Sequence, residues 1–198
     1  AAQRCEHLSY LPRPRRRNEV LVLKDTASVE RGASSWQARA DAPRFRFDAC
    51  GVAASRGAQL LVFGGRGGNS NDVTQAQLLA NLDVFTLASD DWDALQSAPS
   101  ARARHSCVLL GDAQLLVFGG ETTSGLSQEL WQYSLDDDSW RDLSGEQSGA
   151  VPPPMSGHTA VLAGNSMVVF GGFRPGDFEL SEGDSGFPPP PKHTVNLR

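Results

Sequence analysis

The hexapeptide Leu-Leu-Val-Phe-Gly-Gly stands at residues 60–65 and again at 115–120, and a close copy, Met-Val-Val-Phe-Gly-Gly, stands at 167–172. The closing glycines Gly65, Gly120 and Gly172 are 55 and 52 residues apart. A unit of a little over fifty residues is therefore written three times, with small changes in its loops. Such a period constrains the fold more than any local propensity does, because one unit of this size buries its apolar faces only by stacking on its neighbours.

Aligned backwards from the double glycine, the units read CGVAASRGAQLLVFGG, CVLLGDAQLLVFGG and TAVLAGNSMVVFGG. Each has a short apolar run, a small polar turn and a second apolar run, which is the signature of a β-hairpin. Gly111-Asp112 and Gly164-Asn165 supply turn residues that tolerate positive φ, and the first unit turns through residues 55–58 with two residues more. The second runs are apolar throughout, as expected of strands covered on both faces, so sheet must pack on sheet. After a polar, variable stretch the chain returns to NLDVFTLASDDW and ELWQYSLDDDSW, where Phe85 precedes Trp92 and Tyr133 precedes Trp140 at the same spacing. A second hairpin follows the first.

Four strands per unit, a double glycine, and an aromatic residue and a tryptophan in register resemble the kelch repeat. That resemblance implies an all-β fold: a kelch-type β-propeller segment of four-stranded antiparallel blades. Residues 41–99 and 100–152 read as whole blades. Residues 1–40 read as an N-terminal extension and the second half of a degenerate blade, with Leu23 in the aromatic place and Trp36 as its tryptophan. Residues 153–198 read as the first half of a further blade with a proline-rich loop, the chain stopping about where a third strand would begin. Propeller rings close with roughly four to eight blades, so an incomplete ring belonging to a larger protein or assembly is expected. Trp36, Trp92 and Trp140 are expected to pack alike against neighbouring sheet.

In such a blade the turns after strands one and three lie on one face of the disc, and those after strands two and four on the other. The first face receives the short acidic turns with Asp90, Asp91, Asp136, Asp137 and Asp138. The second receives the long segments 66–81, 93–103, 121–128, 141–154 and 173–195, and long loops on a rigid scaffold are where recognition usually sits. The entrances to the innermost strands fall on this long-loop face and bring Arg44, Arg46, Arg102 and Arg104 together, with Arg66 nearby. Guanidiniums so placed suit carboxylate or phosphate recognition, which makes these five the expected partner-binding residues. In the family that the chain resembles, basic residues and histidines at these strand starts also brace one blade on the next, and His105 and His158 are read in that structural role.

The chain has a formal net charge of −5 and 39% hydrophobic residues, which argues for a packed core and against a general nucleic-acid or membrane-inserting surface. Three cysteines, Cys5, Cys50 and Cys107, are too few for a disulfide framework and lack metal-ligand spacing. Cys50 and Cys107 read as small thiols packed in matching inner strands. So few cysteines, with no Asn-x-Ser/Thr glycosylation acceptor, point to a reducing, cytoplasmic location. The segment GGRGGNSN lacks the lysine and hydroxyl residue of a phosphate loop, GDSG at residues 183–186 has no matching base, FPPPP at 187–191 suits an extended proline helix, and RPRRR at 13–17 reads as a solvated loop. No catalytic residues, metal or cofactor are expected. The function read from the sequence is a noncatalytic protein-interaction module or scaffold within a larger assembly, its partners other protein chains with acidic or phosphorylated segments. The alternatives are an enzyme on the same fold, oxidase or lyase-like, or a substrate adaptor of a ubiquitin ligase.

Overall fold

The computed structural model describes residues 20–24, 35–54, 58–68, 73–174, 176 and 192–196. Cys5 and the segments at 13–17, 183–186 and 187–191 lie outside them. The repeat appears as successive antiparallel sheets. The first four-stranded sheet runs in the order β4 (Cys50–Ala54), β5 (Gln59–Phe63), β8 (Leu82–Thr86), β9 (Asp91–Ala94). The second runs β10 (Ser106–Leu110), β11 (Gln114–Phe118), β14 (Leu130–Ser134), β15 (Ser139–Asp142). Ahead of them, β1 (Leu21–Lys24) pairs with β2 (Ser35–Ala38); behind them β16 (Ser156–Ala163), β17 (Ser166–Phe173) and β18 (Lys192–Asn196) form a three-stranded sheet. The last unit thus carries a third strand, where the sequence reading stopped at two: the backbone of 192–196 pairs with β17.

Turn chemistry sets the register. Gly111 and Asp112 both take positive φ in the three-residue turn, 111–113, that joins β10 to β11, a conformation that glycine and aspartate tolerate. The pairs Phe85↔Trp92 and Tyr133↔Trp140 face each other across the third and fourth strands of their sheets. Leu23↔Trp36 pair in the same way despite the longer connection.

Alternation along the middle strands assigns one face of each sheet to each neighbour. Leu61, Phe63 and Val84 of the first sheet meet Leu115, Val117 and Tyr133 of the second, with Trp140 packed on the cluster. On the other face of the second sheet, Val108, Leu116 and Phe118 meet Met155, Met167 and Val169 of the third. The phenylalanine before the double glycine is the recurring knob: Phe63 and Phe118 are buried, and the Phe63 ring lies 5.0 Å from that of Trp140 in the following unit. Trp140 Nε1 donates to the carbonyl of Gln96 at 2.8 Å, and Trp92 Nε1 to that of Ala40 at 3.2 Å, so each tryptophan reaches the connection that ends the unit before it.

The double glycine is the joint between units. Gly65 N donates to Arg102 O, and Gly120 N to Met155 O, each at 2.8 Å. The preceding glycines, Gly64 and Gly119, have φ near 62° and 65°. A Cβ at Gly64 would sit 2.6 Å from Arg102 O, and one at Gly119 2.9 Å from Met155 O. Only glycine permits that approach and that backbone conformation together.

Both ends of this run are open among the described residues. Phe170, which occupies the position of Phe63 and Phe118, is 45% exposed, and a Cβ on Gly171 would meet nothing. Trp36 is 67% exposed, so the expectation that it packs like Trp92 and Trp140 is corrected. The tryptophan stacks on the unit before its own, and no described residue provides one for Trp36. The arrangement is an incomplete ring of antiparallel blades, and no helix among the described residues is long and apolar enough to cross a membrane.

Truncating Trp140 to alanine is expected to lower unfolding stability by about 3 kcal/mol, since it removes a ring wedged between two sheets. Trp36→Ala is expected to change it by less than about 0.5 kcal/mol. Chemical denaturation of both variants checks the difference.

Candidate functional site

The long-loop face is built on a small second layer of sheet. β3 (Phe45–Phe47) pairs with β6 (Arg66–Gly68), which pairs with β7 (Gln77–Leu78). Beside them β12 (Glu121–Thr122) pairs with β13 (Gly125–Leu126). The segment after the first double glycine is therefore a strand, and its register sets Phe47 opposite Arg66.

The five arginines fall into two groups. Arg46 and Arg102 are buried braces. Arg46 donates to the carbonyls of Val62 and Gly64 at 3.3 and 3.4 Å and forms an ion pair with Asp83. Arg102 donates to Gly119 O at 2.9 Å and to Glu129 at 2.6 Å, and Glu129 also accepts from Trp131 Nε1. Each guanidinium therefore caps the carbonyls at the double glycine of its own unit. Burial lowers the Arg46 pKa from its ordinary value, and the charge of Asp83 opposes that shift. In the third unit Met155 occupies the corresponding strand entrance, its carbonyl still accepting from Gly120 N and its side chain buried in the core.

Arg44, Arg66 and Arg104 remain partly open, with side chains 29%, 31% and 48% exposed. Arg44 Nη1 reaches both Asp83 oxygens, at 2.9 and 3.2 Å. Arg66 and Arg104 converge on one carboxylate, Glu121, and Arg104 Nε also donates to Asp48 at 3.1 Å. Arg104 sits at φ 54°, a conformation uncommon outside glycine. It is held there because its N–H donates to Asp48 O at 2.9 Å and its carbonyl accepts from Gly157 N at 2.8 Å. The hydrogen bond to Asp48 and the charges of Glu121 and Asp48 raise its pKa. Ser156 Oγ lies 3.4 Å from Glu121, so residues of three units meet at this carboxylate. The acidic partners Asp48, Asp83, Glu121 and Glu129 were not singled out in the sequence. An aspartate inside the apolar run Leu82–Phe85 and a glutamate directly after a double glycine were the signals for two of them.

On the opposite face, two of the acidic turn residues join units. Asp90 and Asp138, at φ 57° and 46°, accept hydrogen bonds from Ala40 N and Gln96 N at 3.1 and 2.9 Å. Both are joints to the preceding unit, and Asp138 also accepts from the Tyr133 hydroxyl.

The inner strands β4 and β10 are covalently linked. Cys50 and Cys107 form a disulfide, so their reading as separate small thiols is overturned. By chain entropy, closing a loop across 57 residues is worth about 4 kcal/mol. His105 Nε2 lies 3.2 Å from Cys50 Sγ. His158 Nε2 donates to Phe118 O at 3.1 Å, which places both imidazoles between units, in the structural role read from the sequence. Burial, then the charges of Arg102 and His158, push the His105 pKa down to about 3. Among the described residues no group of three or more His, Cys, Asp or Glu side chains is clustered to hold a metal ion.

Residues 10–182 match the KLHDC2/KLHL20/DRC7 Kelch-repeats domain. The chain is 34% identical over 119 residues to the flagellar outer arm dynein alpha chain of Chlamydomonas reinhardtii, covering 59% of the chain and 3% of that protein. It is 33% identical over 150 residues to mouse multiple epidermal growth factor-like domains protein 8, covering 72% of the chain and 5% of that protein. Human host cell factor 2 is 39% identical over 89 residues, covering 42% of the chain and 11% of that protein. The chain thus spans a small fraction of these relatives' length. The solved structure of YjhT has the same fold, with a TM-score of 0.66 at 19% identity, over 80% of this chain and 54% of that one.

The depressed pKa of His105 fixes the sign of an acid effect. Between the ordinary histidine value near 6.5 and about 3, the unfolded chain binds a proton that the folded protein excludes. This contribution to stability is complete above pH 6.5 and declines as the pH falls, by at most about 1.4 kcal/mol per unit. Denaturation at pH 7 and pH 5 should show a smaller acid loss for His105→Gln than for the wild type.

Proposed function

Because this chain belongs to the kelch-repeat family, we propose that it is a noncatalytic docking module whose long-loop face holds an acidic or phosphorylated segment of another protein chain, within a larger assembly. The observation that carries this reading is the convergence of Arg66 and Arg104 on Glu121, at a point where three units meet and the guanidiniums remain partly exposed. An incoming carboxylate or phosphate finds oriented donors there, and Arg44 on the neighbouring strand entrance adds a third. Arg46 and Arg102 serve the scaffold: buried and spent on carbonyls at the double glycines, they hold the entrances from which Arg44 and Arg104 project, with Arg66 beside them on β6. The preference is for anions that accept in bidentate fashion, because a guanidinium fork selects planar or tetrahedral oxyanions over neutral polar groups.

The resident carboxylates belong to the same proposal. Asp48, Asp83 and Glu121 hold the arginine side chains in place before a partner arrives, which reduces the ordering cost of binding. They also compete with the ligand, so affinity in this reading is modest and falls with ionic strength. A cytoplasmic location is not part of the proposal, since two of the three cysteines are joined in a disulfide.

An array of acidic and phosphoserine peptides probed with the purified chain tests the assignment. Replacing Arg66 and Arg104 together by alanine is expected to weaken the retained peptides at least tenfold while the protein stays folded, partly exposed ion pairs being worth about 1 kcal/mol or less each. Asp136→Asn with Asp137→Asn, on the opposite face, is expected to bind as the wild type does. Equal binding by the arginine variant, or loss in the aspartate variant, contradicts the face assignment.

A further inference from the structure

The Cys50–Cys107 bond depends on a one-residue offset between the two inner strands. Cys50 pairs with Phe63 across its hairpin and shares the face that Leu61 and Phe63 turn toward the second sheet. In the second unit the residue at that register is Ser106, opposite Phe118. Cys107 stands one place further on, opposite Val117, and so shares the face that Leu115 and Val117 turn back toward the first sheet. Side chains alternate along a strand, so the offset aims the two sulfurs at each other across the boundary. At the next boundary the same two registers hold Ser106 and Ala160, which cannot bond. The bond therefore staples one boundary of the repeat.

We propose that Cys50 and Cys107 are oxidised during folding in a compartment outside the reducing cytosol, and that the resulting disulfide is a permanent structural staple instead of a redox switch. The chemistry is an exchange with the disulfide of a thiol oxidant. The Cys50 thiolate attacks one oxidant sulfur and releases the other as a thiol. The Cys107 thiolate then attacks Cys50 Sγ in the mixed disulfide and releases the second oxidant thiol, so the two protons lost by the protein end on the two oxidant thiols. The surroundings oppose reversal. Cys107 is buried and Cys50 partly so, among the leucine, valine and phenylalanine side chains of the shared core. The imidazole of His105 lies at hand and burial keeps it neutral, so it offers no positive charge to favour a thiolate. Disulfides that persist are characteristic of oxidising compartments.

Alkylation under denaturing conditions, followed by peptide mapping, tests both halves. In native protein quenched with alkylating agent as its source is opened, Cys50 and Cys107 should be unlabelled, and all three cysteines should label after reduction. Labelled Cys50 and Cys107 in that sample overturn the compartment. If they also label in chain produced in an oxidising secretory host, the staple itself is overturned. On the folded, oxidised chain, dithiothreitol should open the bond roughly a hundredfold faster once denaturant is added, because access requires unfolding. Rapid reduction in native buffer contradicts permanence.

Discussion

Everything else in this structure rests on the close approach of backbone to backbone at the first two double glycines, Gly64-Gly65 and Gly119-Gly120. The first glycine takes a conformation that side chains resist and leaves no room for a Cβ against the next unit's carbonyl; the second donates its N–H to that carbonyl. The phenylalanine just before them then points into the next sheet, where Trp140 receives Phe63. One short sequence therefore specifies a hydrogen bond, a steric fit and an apolar knob at once. Its repetition at a nearly constant period propagates the same joint along the chain.

The joint also explains how the arginines come to divide. Carbonyls at the double glycines need donors once the sheets close over them, and Arg46 and Arg102 supply these from the inner-strand entrances. Their burial is tolerable because Asp83 and Glu129 neutralise them. The guanidiniums of Arg44 and Arg104 at the same entrances, and of Arg66 on the adjoining β6, have the same class of carboxylate partners but keep part of their surface in water. Scaffold and proposed docking surface are thus two layers of one charge network. In that account a substitution in the buried layer alters both stability and recognition, whereas one in the exposed layer alters recognition alone.

The repeat, the hairpins, the Phe85–Trp92 and Tyr133–Trp140 pairs and the family were legible in the sequence because each is a local pattern with a fixed period. What was not legible depends on contacts between units. Trp36 has the right register yet lies open, since its packing depends on a neighbouring sheet and not on its own hairpin. Asp90 and Asp138 look like solvated turn charges until the connection of the preceding unit is seen to donate to them. The disulfide was missed because Cys50 and Cys107 were matched by position in the unit, whereas a single step of register decides which face a strand residue occupies. The carboxylates that pair with the arginines lie up to 56 residues away in sequence, beyond the reach of any local pattern.

The most direct test of the joint is to compare two alanine substitutions at glycines of similar φ. Gly111, in the β10–β11 turn, has φ 61° and open space around it, whereas Gly119 has φ 65° and the backbone of the next unit within 2.9 Å of any Cβ. Backbone strain alone costs each about 1 kcal/mol. Equilibrium denaturation of Gly111→Ala and Gly119→Ala should show the second to be at least twice as destabilising, because it must also push two units apart. Equal losses would mean that the double glycine serves only its own turn and that the units are held together by something else.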